Sequence, residues 1–128
     1  MASFAIKSAP RAADSVLLLF HEKTMWGGKN IRPGDEAFLF SAEHNGGSGL
    51  YARGTVSDAV RGEGIWVSVT VQRTAAAIRP VGRSELRRFR DRTDDRPEAE
   101  LAHKLYVQAT NKVAGISDAA AAFLRGFF

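Results

Sequence analysis

The sequence predicts a mixed α/β (α+β) domain, a small and strongly curved sheet or barrel of about five or six strands with helices packed around it. Three stretches carry this reading. Ala37 to Ser41 and Leu50 to Val56, rich in aromatic and β-branched residues, flank Asn45, Gly46, Gly47 and Gly49. Such a cluster supplies the positive φ angles that a reversing chain needs, so the pair reads as a β-hairpin. Ile65 to Val71 alternates apolar and polar residues and is the clearest strand, with Ile65, Val67, Val69 and Val71 on the core face and Trp66 on the other. Ser117-Asp118 before an alanine-rich run reads as the capped start of a closing helix. Two strands cannot bury one apolar face unaided, so the remaining segments must extend or cover the hairpin.

Taken in order, Ser3 to Lys7 alternates Phe4 and Ile6 with smaller or polar residues and reads as a strand stopped by Pro10. Arg11 to Lys23 follows, with Val16, Leu17, Phe20 and Met25 roughly on one side of a helix. The run Val16 to Phe20 would suit a buried strand equally, and helix is the reading adopted. Thr24 to Asn30 is a loop by composition, with Gly27-Gly28 beside Trp26. Arg32-Pro33-Gly34-Asp35 sets the turn into the hairpin, because proline fixes φ and glycine accepts the left-handed conformation after it. Arg61-Gly62-Glu63-Gly64 turns the chain into Ile65 to Val71, making a three-stranded antiparallel meander, and Ala75 to Val81 reads as an extended edge segment.

Ser84 reads as the cap of a short helix with Leu86 and Phe89 as its apolar positions. From Arg83 to Glu98, arginines including Arg87, Arg88 and Arg92 interleave with Glu85, Asp91, Asp94 and Asp95. The near balance favours a solvated, self-paired face; the alternative is phosphate contact through Arg87 and Arg88. Glu98 to Leu105 suits a turn or two of helix, and Leu105 to Thr110 reads as a last strand before the closing helix.

At 128 residues the chain is one domain, 1–128, with a single core. It has no cysteine, which removes disulfides, thiol catalysis and cysteine-based zinc sites together. Val16 to Phe20 is far short of the roughly 20 apolar residues that a membrane span requires, and the N-terminus lacks the order of a signal peptide, so a cytoplasmic location without a membrane partner is expected. Net charge of +4 tilts weakly toward an anionic partner. His21, His44 and His103 have no second ligand at metal spacing, and Glu100 near His103 does not make a site; neither metal nor cofactor is expected. No nucleophile elbow, P-loop or dinucleotide fingerprint occurs, and Asp94-Asp95 lacks the apolar surroundings that raise a carboxyl pKa, so the residues argue against an enzyme.

Trp26 ahead of Pro33-Gly34-Asp35, an aromatic-rich strand, and then Gly49-Leu50-Tyr51-Ala52-Arg53-Gly54-Thr55-Val56 resemble the PUA-like superfamily, and most of all its EVE-type branch. The match runs in order from about residue 4 to 124; the ASCH branch shares the Gly-Asp turn. Where the usual EVE chain has a tryptophan near its first strand, this sequence has Phe4. The resemblance implies a PUA-like curved β-barrel and a nucleic-acid partner, RNA or modified DNA, with a base held in a pocket on the barrel between aromatic and polar side chains. It places Trp26 as the stacking aromatic and Ser41 at the end of the first hairpin strand.

Side-chain chemistry extends that set. Tyr51 can stack; Asn30 and Asn111, with Thr110, can pair with a base edge; Lys29, Arg53 and Lys112 can meet phosphate. For Trp26 the competing role is a core cap, and for Thr110-Asn111-Lys112 a plain turn. The expected function is a non-catalytic nucleic-acid-binding module. Its rivals are an ASCH-like RNA-binding regulator or small hydrolase, using Lys23 or Lys29 with Glu36 or Glu43, and a protein-interaction module using Trp66.

Overall fold

The computed structural model describes residues 2–11, 15–91, 95–107 and 110–128. Arg92 and Asp94 of the charge run lie outside them, as do Gln108 and Ala109. The elements are β1 (Ser3–Ser8), β2 (Leu17–Met25), β3 (Glu36–Ser41), β4 (Gly49–Arg61), β5 (Trp66–Ala76), α1 (Arg83–Leu86), α2 (Pro97–Tyr106), β6 (Lys112–Ile116) and α3 (Asp118–Arg125). The strands close a barrel in the order β1-β3-β4-β5-β2-β6, which leaves the meander β3-β4-β5 as expected and joins it to itself through β1, β6 and β2. β1 runs parallel to β3, and β6 runs antiparallel to β1 and parallel to the end of β2.

Two of the sequence expectations change. The helix expected over Arg11 to Lys23 is replaced by β2 at Leu17–Met25, and Ala12, Ala13 and Asp14 lie outside the described residues. Leu18 and Phe20 point into the barrel while Leu17 and Leu19, each 60% exposed, point out, so apolar residues on both faces hid the period of two. Leu105 to Thr110 is not the last strand either: α2 continues to Tyr106 and β6 begins at Lys112. Pro97 opens α2 at the position where its missing N–H costs nothing. Two smaller corrections concern Ser84, which lies within α1 after Gly82, and Ile65, which is exposed at the mouth of the β4–β5 turn. Ser117 caps α3 as expected, its hydroxyl accepting from the Ala120 N–H at 3.1 Å.

The molecule has two apolar layers. Phe4, Ile6, Phe20, Leu39, Val69 and Val113 are among the side chains that fill the barrel. On the outer face of β1 and β3, Ala5, Phe38 and Phe40 meet Leu86, Leu101, Leu105 and Leu124 of the helices. β1 and β3 are therefore buried on both faces, and every residue of β1 is buried, polar ones included. Glu36 fastens α3 to this wall: Arg125 donates to its Oε1 at 2.6 Å and its Oε2 at 3.2 Å, and Arg53 lies 3.7 Å away.

At Gly54, where their register shifts, β4 comes close to β5. A Cβ there would overlap the Gln72 carbonyl and stand 2.7 Å from Val71 Cγ1. Gly54→Val is expected to lower stability by about 1–3 kcal/mol through overpacking against backbone that cannot move aside. An unchanged urea midpoint would contradict this close fit.

Candidate nucleic-acid interface

At one end of the barrel β1 runs out beneath the C-terminus of α2. Lys7 shares the outward face of β1 with Ala5, so alternation carries its side chain under the helix, where it is only 2% exposed. Its ammonium donates to the Leu105 carbonyl at 2.8 Å and sits 4.6 Å from the centre of the Tyr106 ring. Lys112, directly opposite Lys7 in the sheet and 1% exposed, donates to the Lys104 carbonyl at 2.9 Å. Two lysines thus donate to carbonyls of the last turn of α2, where a cation is favoured by the negative end of the helix dipole. Burial lowers the pKa of each; Glu43 partly offsets this for Lys7, and the charge of Lys7 adds to it for Lys112, which falls to about 8.

Glu43 is the hub of this end. It lies in a short 3-10 turn, Glu43–Asn45, after β3, and its carboxylate accepts from the backbone N–H of Arg83. The Tyr106 hydroxyl lies 3.2 and 3.3 Å from its two oxygens. Burial, and then the charge of Glu43, hold the Tyr106 hydroxyl far above its ordinary pKa, so it remains a donor. The turn after β3, the start of α1 and the end of α2 therefore meet at one carboxylate. Gly82 permits the meeting, since a Cβ on it would collide with Glu43 Oε2 and crowd Gly49.

Around this hub open two adjoining hollows that share Glu43 and Arg83. One, of about 230 Å³, is lined by Lys7, His44, Arg90, Tyr106 and Val107 in addition to the shared pair. The other, of about 400 Å³, is lined by Ser48, Pro80, Gly82, Ser84, Glu85 and Arg87 with the same pair. Glu85 is held by Arg79 at 2.6 Å, so the side chains left to address a ligand are mainly cationic.

No family model and no curated protein matches this chain. Solved structures do. Human thymocyte nuclear protein 1, in complex with DNA containing 5-methylcytosine, superposes with a TM-score of 0.71 at 12% identity, over 98% of this chain and 96% of that one. The chain shares that PUA-like barrel fold. Rpa0253 from Rhodopseudomonas palustris, solved by NMR, shares it at a TM-score of 0.67 and 16% identity, over 99% of this chain and 92% of that one. A hypothetical protein from Leishmania major does so at 0.64 and 15%, over 98% and 94%.

On this PUA-like barrel the residues singled out in the sequence do not form one pocket. Trp26 is 55% exposed, in the left-handed conformation (φ 54°), over a shallow hollow of about 260 Å³ with Met25, Lys29 and Ile65, so it is not a core cap. Its ring lies 5.9 Å from the Lys104 ammonium. Asn30 ends the adjoining 3-10 turn, and the Lys29 carbonyl accepts from Arg61. Ser41 instead braces the hairpin bend: its hydroxyl accepts from the Ser48 N–H at 3.0 Å and donates to the Gly49 carbonyl at 3.3 Å. Tyr51 is the extra residue of a bulge, between the pairs Leu39–Ala52 and Phe40–Leu50, and packs against the barrel interior. Arg53 stands over the Phe128 ring beside Glu36, on the α3 side. Asn111 donates to Asn45 at 3.3 Å and so closes the Glu43 turn, with Thr110 half-buried beside it.

Lys112 is a correction, since its ammonium is spent on the helix end and lies below the surface at which a phosphate would meet it. Arg87 lines the larger hollow, whereas Arg88 stacks on Phe89 over a separate groove toward α3. The sequence reading missed Lys7 and Tyr106, took Arg83 and Arg90 only as members of the arginine run from 83 to 96, and weighed Glu43 only as part of a catalytic pair. A lysine at the end of an apolar strand, followed by Ser8 and Pro10, was the available sign.

Proposed function

We propose that this domain is a non-catalytic nucleic-acid-binding module that takes a base into the cleft around Glu43. The observation that carries the reading is the cleft itself, where Lys7, Arg83, Arg87 and Arg90 surround the Glu43 carboxylate. Support comes from the fold, which in thymocyte nuclear protein 1 was solved with DNA containing 5-methylcytosine. A carboxylate accepts from an exocyclic amino group, and neighbouring cations donate to ring nitrogen or carbonyl acceptors, a pattern that complements the edge of cytosine. An extruded or single-stranded base reaches such a cleft where a stacked one does not. Lys7 covers one side of the Tyr106 ring, so stacking falls to an aromatic outside the cleft. Trp26, with its open face, serves as that platform for a neighbouring base.

Binding to short cytosine-containing oligonucleotides is expected to weaken steeply as salt rises, because phosphate contacts release counterions. Arg87→Gln should weaken binding and make the salt slope shallower, while Arg88→Gln should leave both nearly unchanged. Affinity that stays flat across the salt titration, or no binding to any oligonucleotide, overturns the reading. Trp26→Ala tests the platform. It should reduce affinity roughly five- to 150-fold, the equivalent of about 1–3 kcal/mol per stacked base, with the denaturation midpoint almost unmoved because the side chain is mostly in water. A large fall in stability with normal binding by the folded fraction would remove Trp26 from the interface.

A further inference from the structure

The smaller hollow holds a cation placed deeper than recognition of a base edge alone requires. Lys7 is a cation nine-tenths buried, with one of its three hydrogens given to Leu105, and it lines a hollow to which Arg83 and Arg90 also contribute. Glu43 is the carboxylate among the lining residues, and its single charge, which only partly offsets the burial of Lys7, also faces Arg83 and Arg90. An ammonium removed from water and short of negative partners is costly, and an anion brought to it regains that cost.

We infer that the Lys7 hollow is an anion subsite for a negatively charged group protruding from a bound nucleotide. The inference rests on the base-binding reading and narrows its ligand. A phosphodiester inside a strand carries a sugar on each side and stays at the surface, where it cannot approach a lysine so deeply placed. Two sources of the right chemistry protrude far enough: a carboxylate on the base, as in 5-carboxylcytosine, and a terminal phosphate.

Short single-stranded oligonucleotides that differ at one place separate the cases. One series carries cytosine, 5-methylcytosine or 5-carboxylcytosine at a central position, and a second carries a 5′-hydroxyl or 5′-phosphate end. Affinity is expected to rise about tenfold or more for the anionic member of one series, since a single charge pair at low effective dielectric is worth several times thermal energy. The series that shows the rise identifies the source. Lys7→Met should abolish that preference. Because this variant also strips the Leu105 carbonyl of its donor, Arg90→Gln, at an exposed rim position, serves as the second test and should cut the preference at least threefold. Binding with no preference in either series, or a preference intact in both variants, overturns the subsite and leaves base binding standing. No binding by any member overturns both.

Discussion

Glu43→Ala is expected to lower folding stability by about 2–4 kcal/mol and to abolish oligonucleotide binding. The argument runs through the groups left behind. Without the carboxylate, the buried Tyr106 hydroxyl loses its acceptor, and an orphaned donor away from water costs about 1–3 kcal/mol, while the exposed Arg83 N–H exchanges its acceptor for water. Lys7 loses the charge that offsets its burial, which adds to the penalty. The turn after β3, the start of α1 and the end of α2 would then lose the one group that all three share, which loosens the walls of the cleft before any ligand arrives. Glu43→Gln keeps the shape and an acceptor oxygen and should recover most of the stability, but not the attraction to Lys7. Chemical denaturation of the two variants beside the parent, with affinities measured on the folded fraction, checks the claim. If alanine and glutamine behave alike and both bind normally, Glu43 is not the hub.

The fold was largely legible, and the site was not, for one physical reason. Local pattern reports which face of an element is wet. That worked for the β4 and β5 pairing, whose residues alternate between barrel and solvent, and for Ser117 at the start of α3. It failed where a residue's surroundings are set by distant chain. Lys7 reads as the polar, outward position of a short strand, and it does point out of the barrel; what lies there is the end of α2, nearly a hundred residues later. Lys112 reads as a turn residue available to phosphate because β6 is short and finds both its neighbours, β1 and β2, far back in the sequence. Trp26 could be placed in a glycine loop from sequence, but its separation from Tyr51 and Ser41 depended on the closure of the barrel.

The same burial makes stability depend on pH in a direction opposite to the common one. Lys112 titrates near 8 in the folded protein and at its ordinary value of 10.5 when unfolded. Between those values the unfolded chain holds a proton that the folded chain has released, so the unfolded state binds more protons and stability rises with pH. Below pH 8 the full cost of a buried ammonium is present; toward pH 10 it is relieved. A shift of this size corresponds to about 1–3 kcal/mol once water at the barrel end is allowed for. Lys7, lowered in the same direction, adds to the rise. Tyr106 and Tyr51 act against it above pH 10, because burial raises their pKa values and unfolded tyrosines lose their protons first. Stability should therefore climb from pH 7.5 to a maximum near pH 10 and then fall, provided the parent is compared at constant salt. Lys112→Met carries no charge to relieve and should show a flatter climb, with its advantage over the parent largest near neutrality and smallest near pH 10. Parallel curves for the two proteins across this range would mean that Lys112 keeps its proton in the fold and that its burial costs little.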